Sequence, residues 1–247
     1  MFKLPVYDVI TPQTHVKLQV RCLTFNDELK LRSSILAGRQ AILKNLNKYI
    51  YDLLEDKPEE IKTYKDFINK FTLVDRKAMI LGLYHISYGN EFAVDNTCPV
   101  CGHVNSSKVD IEKHTIVKAY SGKPFSILDK SVTVDLPITG FKATIKVPVL
   151  YKEEVLSEFN FDDRLFEISL ITDSIEAEGK KITIEKPTDL AAMLKTLPAR
   201  DVRVIRDEYL KNFDYDISVK FKVQCSNCGN QFESEVDFVD QIFRMVL

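Results

Sequence analysis

The amino-acid sequence predicts an α+β fold, in which a mixed α+β domain is inserted between the two halves of a four-cysteine module. Three observations indicate this class. The N-terminal third changes from strand-like alternation to helical periodicity, two C-x-x-C-G motifs lie far apart, and strand and helix patterns alternate between them. The predicted units are a strand plus helical unit at 1–90, the cysteine module at 91–111 and 216–238, the inserted domain at 112–215 and a C-terminal tail at 239–247.

The first pattern is that of a strand. The stretch "HVKLQVRCL" alternates polar and apolar side chains from His15 to Leu23, which is typical of a strand with one buried face. Cys22 falls on the apolar side of this alternation. We therefore expect Cys22 in the core rather than at a functional site.

Residues 26–56 carry helical periodicity instead. The apolar stripe of "NDELKLRSSILAGRQAILKNLNKYIYDLLED" predicts one long amphipathic helix. Its members are Leu29, Leu36, Leu43, Leu46, Ile50 and Leu53. After the interruption "EDKPEE" and a short helical piece, Thr72 and Asp75 form a capping-box pattern, and Gly89 is placed to end the helix that follows.

The two cysteine motifs lie in similar surroundings. Both "EFAVDNTCPVCGHVNSSKVDI" and "DISVKFKVQCSNCGNQFESEVDF" read as strand, tight turn and strand. Two residues between the cysteines let both sulfurs face one metal ion, and Gly102 and Gly229 permit the tight backbone that follows. The two turns together would supply the four thiolates of a structural, tetrahedral zinc site of the zinc-ribbon type. The predicted ligands are Cys98, Cys101, Cys225 and Cys228.

Other readings of these motifs are weaker. A thiol redox motif needs its C-x-x-C at a helix N-terminus, whereas both pairs lie at hairpin turns. His103 is close enough to Cys101 to replace a ligand, but with four thiolates present we expect it to be a polar turn residue. The remaining histidines lack ligand spacing. Thiolates prefer zinc, although iron also occupies four-cysteine sites.

Between the motifs the sequence predicts further regular structure. Three strand patterns appear in "SVTVDLP", "FKATIKVPV" and "KKITIEKP". Four helical patterns accompany them in "YKEEVLSEF", "DRLFEISLITDSI", "PTDLAAMLKTL" and "ARDVRVIRDEYLKNF". Pro187 marks a helix start and Pro198 separates the last two helices.

Composition and missing motifs argue against several functions. With 34 basic and 36 acidic side chains, the formal charge of −2 gives no general attraction to nucleic acid or anionic lipid. Apolar runs such as "AMILGLY" are far shorter than a membrane span, and the N-terminus lacks a secretory signal, so we expect a cytoplasmic protein. Phosphate-binding and hydrolase motifs are missing. The sequence therefore predicts no enzyme, no catalytic residue and no small-molecule substrate.

The principal alternative is a zinc-ribbon protein that binds nucleic acid or takes part in transcription. Ribbon tips that contact nucleic acid usually carry basic and aromatic side chains. The tips "TCPVCGHVNSSK" and "QCSNCGNQFES" are nearly uncharged apart from Lys108 and Glu233. The tips therefore argue against nucleic acid as a partner.

The chain organisation resembles the baseplate hub proteins of T4-type contractile-tailed bacteriophages. The resemblance rests on "LPVYDVITPQTHVKLQVRCLTFNDE", the long helix, "CPVCG", the α+β insertion and the late "CSNCG". It implies a non-enzymatic protein that acts in the host cytoplasm during assembly of the tail baseplate, with other hub proteins as partners. That group includes a hub subunit and a hub assembly factor, and the chain length favours the assembly factor. Whether the chain stays in the virion baseplate is left open by the resemblance.

Overall fold

The structure is a computed structural model that describes residues 3–35, 39–183 and 185–236, without the side chains of 33–44. Helices and strands are mixed throughout these residues, which confirms the predicted α+β class. None of the helices described is both long and apolar enough to cross a bilayer.

The N-terminal unit begins with a three-stranded antiparallel sheet. Strand β1 (Val6–Ile10) pairs with β2 (Lys17–Arg21), and β2 pairs with β3 (Leu54–Glu55), so β1 is an outer strand. The strand predicted from "HVKLQVRCL" is therefore confirmed. Cys22 follows β2 and is only half-buried, because the alternation ends where the strand ends.

The predicted long helix is described as two helices. These are α1 (Phe25–Ile35) and α2 (Arg39–Leu53), and residues 36–38 lie outside the described residues, as do the side chains of Leu36 and Leu43. The stripe is confirmed in α2, where Leu46, Ile50 and Leu53 are buried. It is wrong at Leu29, which is 49% exposed, because α1 buries the face carrying Asp27 and Leu31.

Three more helical segments complete this unit. A 3-10 turn (Glu59–Ile61) precedes α3 (Tyr64–Lys70) and α4 (Leu73–Tyr88). The Thr72 hydroxyl accepts from the Asp75 N–H while the Asp75 carboxylate accepts from the Thr72 N–H, which confirms the predicted capping box. Gly89 ends α4 at the predicted position, with a φ of +96° and a ψ of −166° rather than the left-handed helical conformation of a common glycine cap.

Helix α4 lies against the β1–β2 sheet at very close range. A Cβ on Gly82 would stand 2.5 Å from Cγ2 of Val9 and 3.1 Å from Cδ1 of Tyr7. Only glycine therefore permits this contact between helix and sheet. The Asp75 carboxylate extends the contact by accepting N–H groups from Gln13 and Thr14, at 2.8 and 3.2 Å, in the turn after β1.

The first cysteine hairpin follows α4. Strands β4 (Glu91–Thr97) and β5 (Val104–Asp110) pair in register, as the sequence predicts. A single helical turn, α5 (Ile111–His114), then leads into β6 (Thr115–Lys118), which the sequence analysis did not identify.

A second sheet lies within the predicted insertion. Its antiparallel strand order is β10-β9-β8-β7, from β7 (Val132–Asp135), β8 (Lys142–Ile145), β9 (Thr172–Ala177) and β10 (Lys180–Thr183). Helices α7 (Asp163–Ile171), α8 (Pro187–Thr196) and α9 (Ala199–Asn212) pack on it around Ile145, Ile175, Leu190 and Ile205. The prediction that "DRLFEISLITDSI" is all helix is wrong from Thr172 onward, because these residues pair with β8.

Helix α6 (Leu150–Ser157) belongs to a different core. Leu150 is fully buried among the N-terminal residues rather than with the second sheet. The Glu153 carboxylate accepts two hydrogen bonds from the Arg76 guanidinium, and both side chains are almost fully buried. The middle of the predicted insertion at 112–215 therefore packs against the N-terminal unit, through α6.

The second cysteine hairpin ends the described chain. Strand β11 (Asp216–Gln224) pairs with β12 (Gln231–Glu235) on one side and β6 on the other. Val219, Phe221 and Val223 are buried in the N-terminal core, as their alternation predicts. Phe238 and the predicted tail 239–247 lie outside the described residues.

Candidate metal centre

The two C-x-x-C turns have nearly the same backbone geometry. The Cys98 N–H donates to the His103 carbonyl at 2.8 Å and the Gly102 N–H donates to the Cys98 carbonyl at 2.9 Å. In the second hairpin the Cys225 N–H donates to Asn230 and the Gly229 N–H to Cys225, at the same two distances. Each hairpin therefore ends in the same compact turn, which turns both thiols to one side.

The glycine after each pair is required by conformation and not by space. Gly102 has a φ of +71° and Gly229 a φ of +74°, and a Cβ at either position would meet nothing within 4 Å. Positive φ is costly for residues that carry a Cβ. The sequence reasoning about these two glycines is therefore supported by the backbone.

The four predicted residues converge, although two come from each end of the intervening chain. All four sulfurs lie within 4.8 Å of one another. The Sγ atoms of Cys98 and Cys228 are 3.7 Å apart, and those of Cys101 and Cys225 are 3.6 Å apart. Each close pair thus joins one hairpin to the other. These distances are far longer than a disulfide bond of about 2.05 Å.

The sulfur spacing fits a tetrahedral metal site. Four sulfurs at about 2.3 Å from a central zinc are about 3.8 Å from one another, close to the two measured separations. Cys98 and Cys225 are buried, while Cys101 and Cys228 reach the surface. A metal bound by all four thiolates would have no open position for water or substrate.

Polar side chains join the hairpins beside the sulfurs. The buried Asn105 carboxamide accepts the Ser226 N–H at 2.9 Å, and the Ser226 hydroxyl lies 3.0 Å from Nε2 of His103. The Asn227 and Asn230 amides approach the sulfurs of Cys101 and Cys98 at 3.6 and 3.9 Å. Sequence reasoning missed these supporting residues, because isolated Asn and Ser carry no spacing signal.

The histidines stand outside the sulfur cluster. His103 contacts Ser226 across the hairpins, in keeping with a polar turn residue. The others are scattered: His15 approaches the Tyr120 carbonyl, His85 packs against Tyr7, and His114 against Phe221. The half-buried Cys22 is likewise not a member of the cluster.

The electrostatics of the cluster favour a cation. The Cys101 N–H lowers the pKa of Cys98, and the Cys228 N–H lowers the pKa of Cys225 to about 6. For Cys228 the Asn230 N–H lowers the pKa, but the Cys101 thiol, burial and the other two cluster thiols together outweigh it and raise the pKa to about 12. Full deprotonation of all four thiols therefore needs a compensating positive charge, which a divalent metal supplies.

Comparison with known proteins gives one family match. Residues 4–244 match the family described as T4 bacteriophage base plate protein. No curated protein and no solved structure matches the chain. Because the match covers nearly every residue, including both cysteine hairpins and everything between them, this chain belongs to the T4 bacteriophage base plate protein family.

Proposed function

We propose that this protein is a structural or assembly component of the phage tail baseplate hub and acts through protein–protein contacts. The observation that carries the proposal is the family match over residues 4–244. Membership of a baseplate family implies a role in phage structure or assembly, together with other baseplate proteins. The hub, rather than another part of the baseplate, is our own assignment from the resemblance in chain organisation.

The second part of the proposal is a structural zinc ion bound by Cys98, Cys101, Cys225 and Cys228. Support comes from the sulfur separations of 3.6 and 3.7 Å and from the matched turns that present the thiols. The zinc would supply positive charge and bond strength, and the protein's own groups would orient the thiolates. Its role is to tie the β4–β5 hairpin to the β11–β12 hairpin, and so to close the base of the proposed inserted domain at 112–215.

Metal analysis tests this part directly. Protein purified without added metal should contain one zinc per chain, measured by mass spectrometry of the metals after acid digestion. Iron instead of zinc would support the four-thiolate site but contradict the assignment of the metal as zinc. A chain that is folded and fully metal-free after gentle purification would contradict the zinc proposal.

The biological part is tested by complementation. A phage that lacks this gene should produce heads and tail fibres in the host cytoplasm but no completed tails, and the wild-type protein supplied in trans should restore the tails. Completed tails are counted by electron microscopy of the lysates. Normal tails together with failed replication or transcription would favour the zinc-ribbon nucleic-acid alternative. Probing purified particles for the chain distinguishes a virion subunit from a factor that acts only during assembly.

A further inference from the structure

The cavity beside β1 combines an outer strand with an acidic rim. It has a volume of about 250 Å³ and is lined by twelve residues. Its lining consists of residues 7–10 of β1, residues 78, 81, 82 and 85 on one face of α4, the start of α5, Thr115 of β6 and Ile217 of β11. Four consecutive residues of one strand can line the same cavity only along the strand's edge, since their side chains alternate between two faces.

The free edge of β1 presents backbone groups to this cavity. The Cys22 N–H donates to Pro5 and the Thr11 N–H donates to Val16, and the register makes Tyr7 and Val9 the hydrogen-bonded partners of β2 between them. The N–H and carbonyl groups of Asp8 and Ile10 therefore point away from β2. Among the residues that the structure describes, no strand pairs with this side of β1.

The surroundings favour a chain segment over a small molecule. A volume of about 250 Å³ lies below the range of about 300–1,000 Å³ typical of small-molecule sites, but it accommodates one or two side chains. Exposed apolar side chains lie at the groove: Ile10 in its lining is 63% exposed, and Val117, on the same face of β6 as the lining residue Thr115, is 51% exposed. Edge strands with exposed apolar side chains are the places where a partner adds a strand.

The charge of the lining defines the partner's chemistry. The twelve lining residues include two carboxylates, one histidine and no lysine or arginine. Asp8 is already paired with Lys17 and Gln19. Glu112 is 66% exposed and its carboxylate lies 4.0 Å from Nε2 of His85, so the carboxylate is accessible. A lysine or arginine on the incoming segment would complement it.

We propose that β1 is the docking site for an extended segment of another baseplate protein, which adds antiparallel or parallel to β1 and places a basic side chain against Glu112. Side chains of the segment would point at the α4 face, where Ala78, Leu81 and His85 line the groove. The partner's identity as a baseplate protein rests on the proposed function, whereas the edge, the groove and its charge do not.

Site-specific photo-cross-linking in infected cells tests this proposal. A photoreactive amino acid replaces Val117, on β6 beside the groove, and in a separate control replaces Ile138, which is 54% exposed in the turn between β7 and β8. We expect the Val117 probe, and not the Ile138 probe, to capture one baseplate protein. Mass spectrometry should place the link within about three residues of a lysine or arginine in an extended segment.

Two substitutions then test the edge and the charge separately. Ile10→Pro removes the outward N–H and the exposed isoleucine side chain but no hydrogen bond to β2, because position 10 does not donate to β2, and an outer strand tolerates proline. Both Ile10→Pro and Glu112→Lys should lower the cross-linking yield at least about fivefold, while Glu158→Lys, at an exposed position of the α6 end, should leave it unchanged. Circular dichroism melting checks that each variant is folded.

Several outcomes would overturn the docking site. Three of them concern the product: the Val117 probe captures a second copy of this chain, it links internally to residues 237–247, or the Ile138 probe captures the same protein equally well. The other two are that a probe-bearing chain restores tails but captures nothing, and that the cross-linking yield is unchanged by Ile10→Pro or Glu112→Lys. Wild-type complementation is scored in the same infections. Restored tails with any of these results would reject the docking site while leaving the assembly role intact, and unrestored tails would reject the proposed function itself.

Discussion

Replacing Cys98 with serine removes one of the four sulfurs that would bind the metal. The substitution should destabilise the fold, because the metal closes a long loop of the chain between the two hairpins. Cys101 and Cys225, whose sulfurs are 3.6 Å apart, are separated by 124 positions in sequence. In the chain-entropy treatment of cross-links, a closed loop of this length contributes about 5 kcal/mol. Three remaining thiolates with a water in place of the fourth hold the metal less tightly, so we expect the free energy of unfolding to fall by about 3–5 kcal/mol.

The assay is urea denaturation of the zinc-loaded protein followed by circular dichroism, with metal content measured on the same sample. Cys22→Ser is the matched control, because it makes the same chemical change at a half-buried cysteine outside the cluster. That variant should keep one zinc per chain and lose no more than about 1 kcal/mol. A Cys98→Ser protein with full metal content and unchanged stability would refute the ligand assignment, and loss of metal in Cys22→Ser would refute it equally.

Three further substitutions test other parts of the structure. Glu153→Gln leaves the Arg76 guanidinium buried without its countercharge and should cost about 3 kcal/mol in urea denaturation, against about 0.5 kcal/mol or less for Glu158→Gln at an exposed position. Gly229→Ala forces a Cβ into a φ of +74° and should cost about 1–2 kcal/mol with zinc bound; a neutral result would show that the turn relaxes. Burial lowers the pKa of Lys152 to about 7, so the unfolded chain binds more protons between about pH 7 and 10.5, and stability should rise with pH across that window by up to about 5 kcal/mol. Lys152→Met should remove that part of the pH dependence, and identical pH profiles for the two proteins would contradict it.

The cysteine cluster was the part of the molecule most accessible from sequence. Each C-x-x-C-G motif specifies its own turn locally, because spacing, the following glycine and flanking alternation all act within about ten residues. The structure brings Cys98, Cys101, Cys225 and Cys228 together as the paired motifs predict. What the motifs do not encode is the shell around them: Asn105 reaches Ser226 only once both hairpins are in place.

Errors arose where tertiary contacts override a local pattern. Leu29 fits a heptad that runs through residues 26–56, yet α1 is oriented by the burial of Asp27, whose carboxylate binds Arg21. Thr172 continues the helical pattern of α7, but pairing with β8 ends the helix there. The strand β8 is distant in sequence from the helix that it ends, and Arg21, although only six residues from Asp27, belongs to no recognisable motif with it.

The position of α6 explains how the predicted insertion is held. A domain tied only at its two ends, by the hairpins that carry the cysteines, would be free to rotate about that base. Leu150 and the Arg76–Glu153 pair instead fix the middle of 112–215 against the N-terminal core, and Asn47 and Tyr64 add hydrogen bonds to Glu154. The second sheet is therefore constrained at three points along the chain rather than two. Loss of the metal should loosen the contact between the two cysteine hairpins, whereas the contacts of α6 with the N-terminal core do not involve the metal. The second sheet should therefore keep its orientation relative to β1. A protein that assembles with other baseplate proteins benefits from fixed geometry of this kind, because a misplaced contact forfeits part of the binding energy.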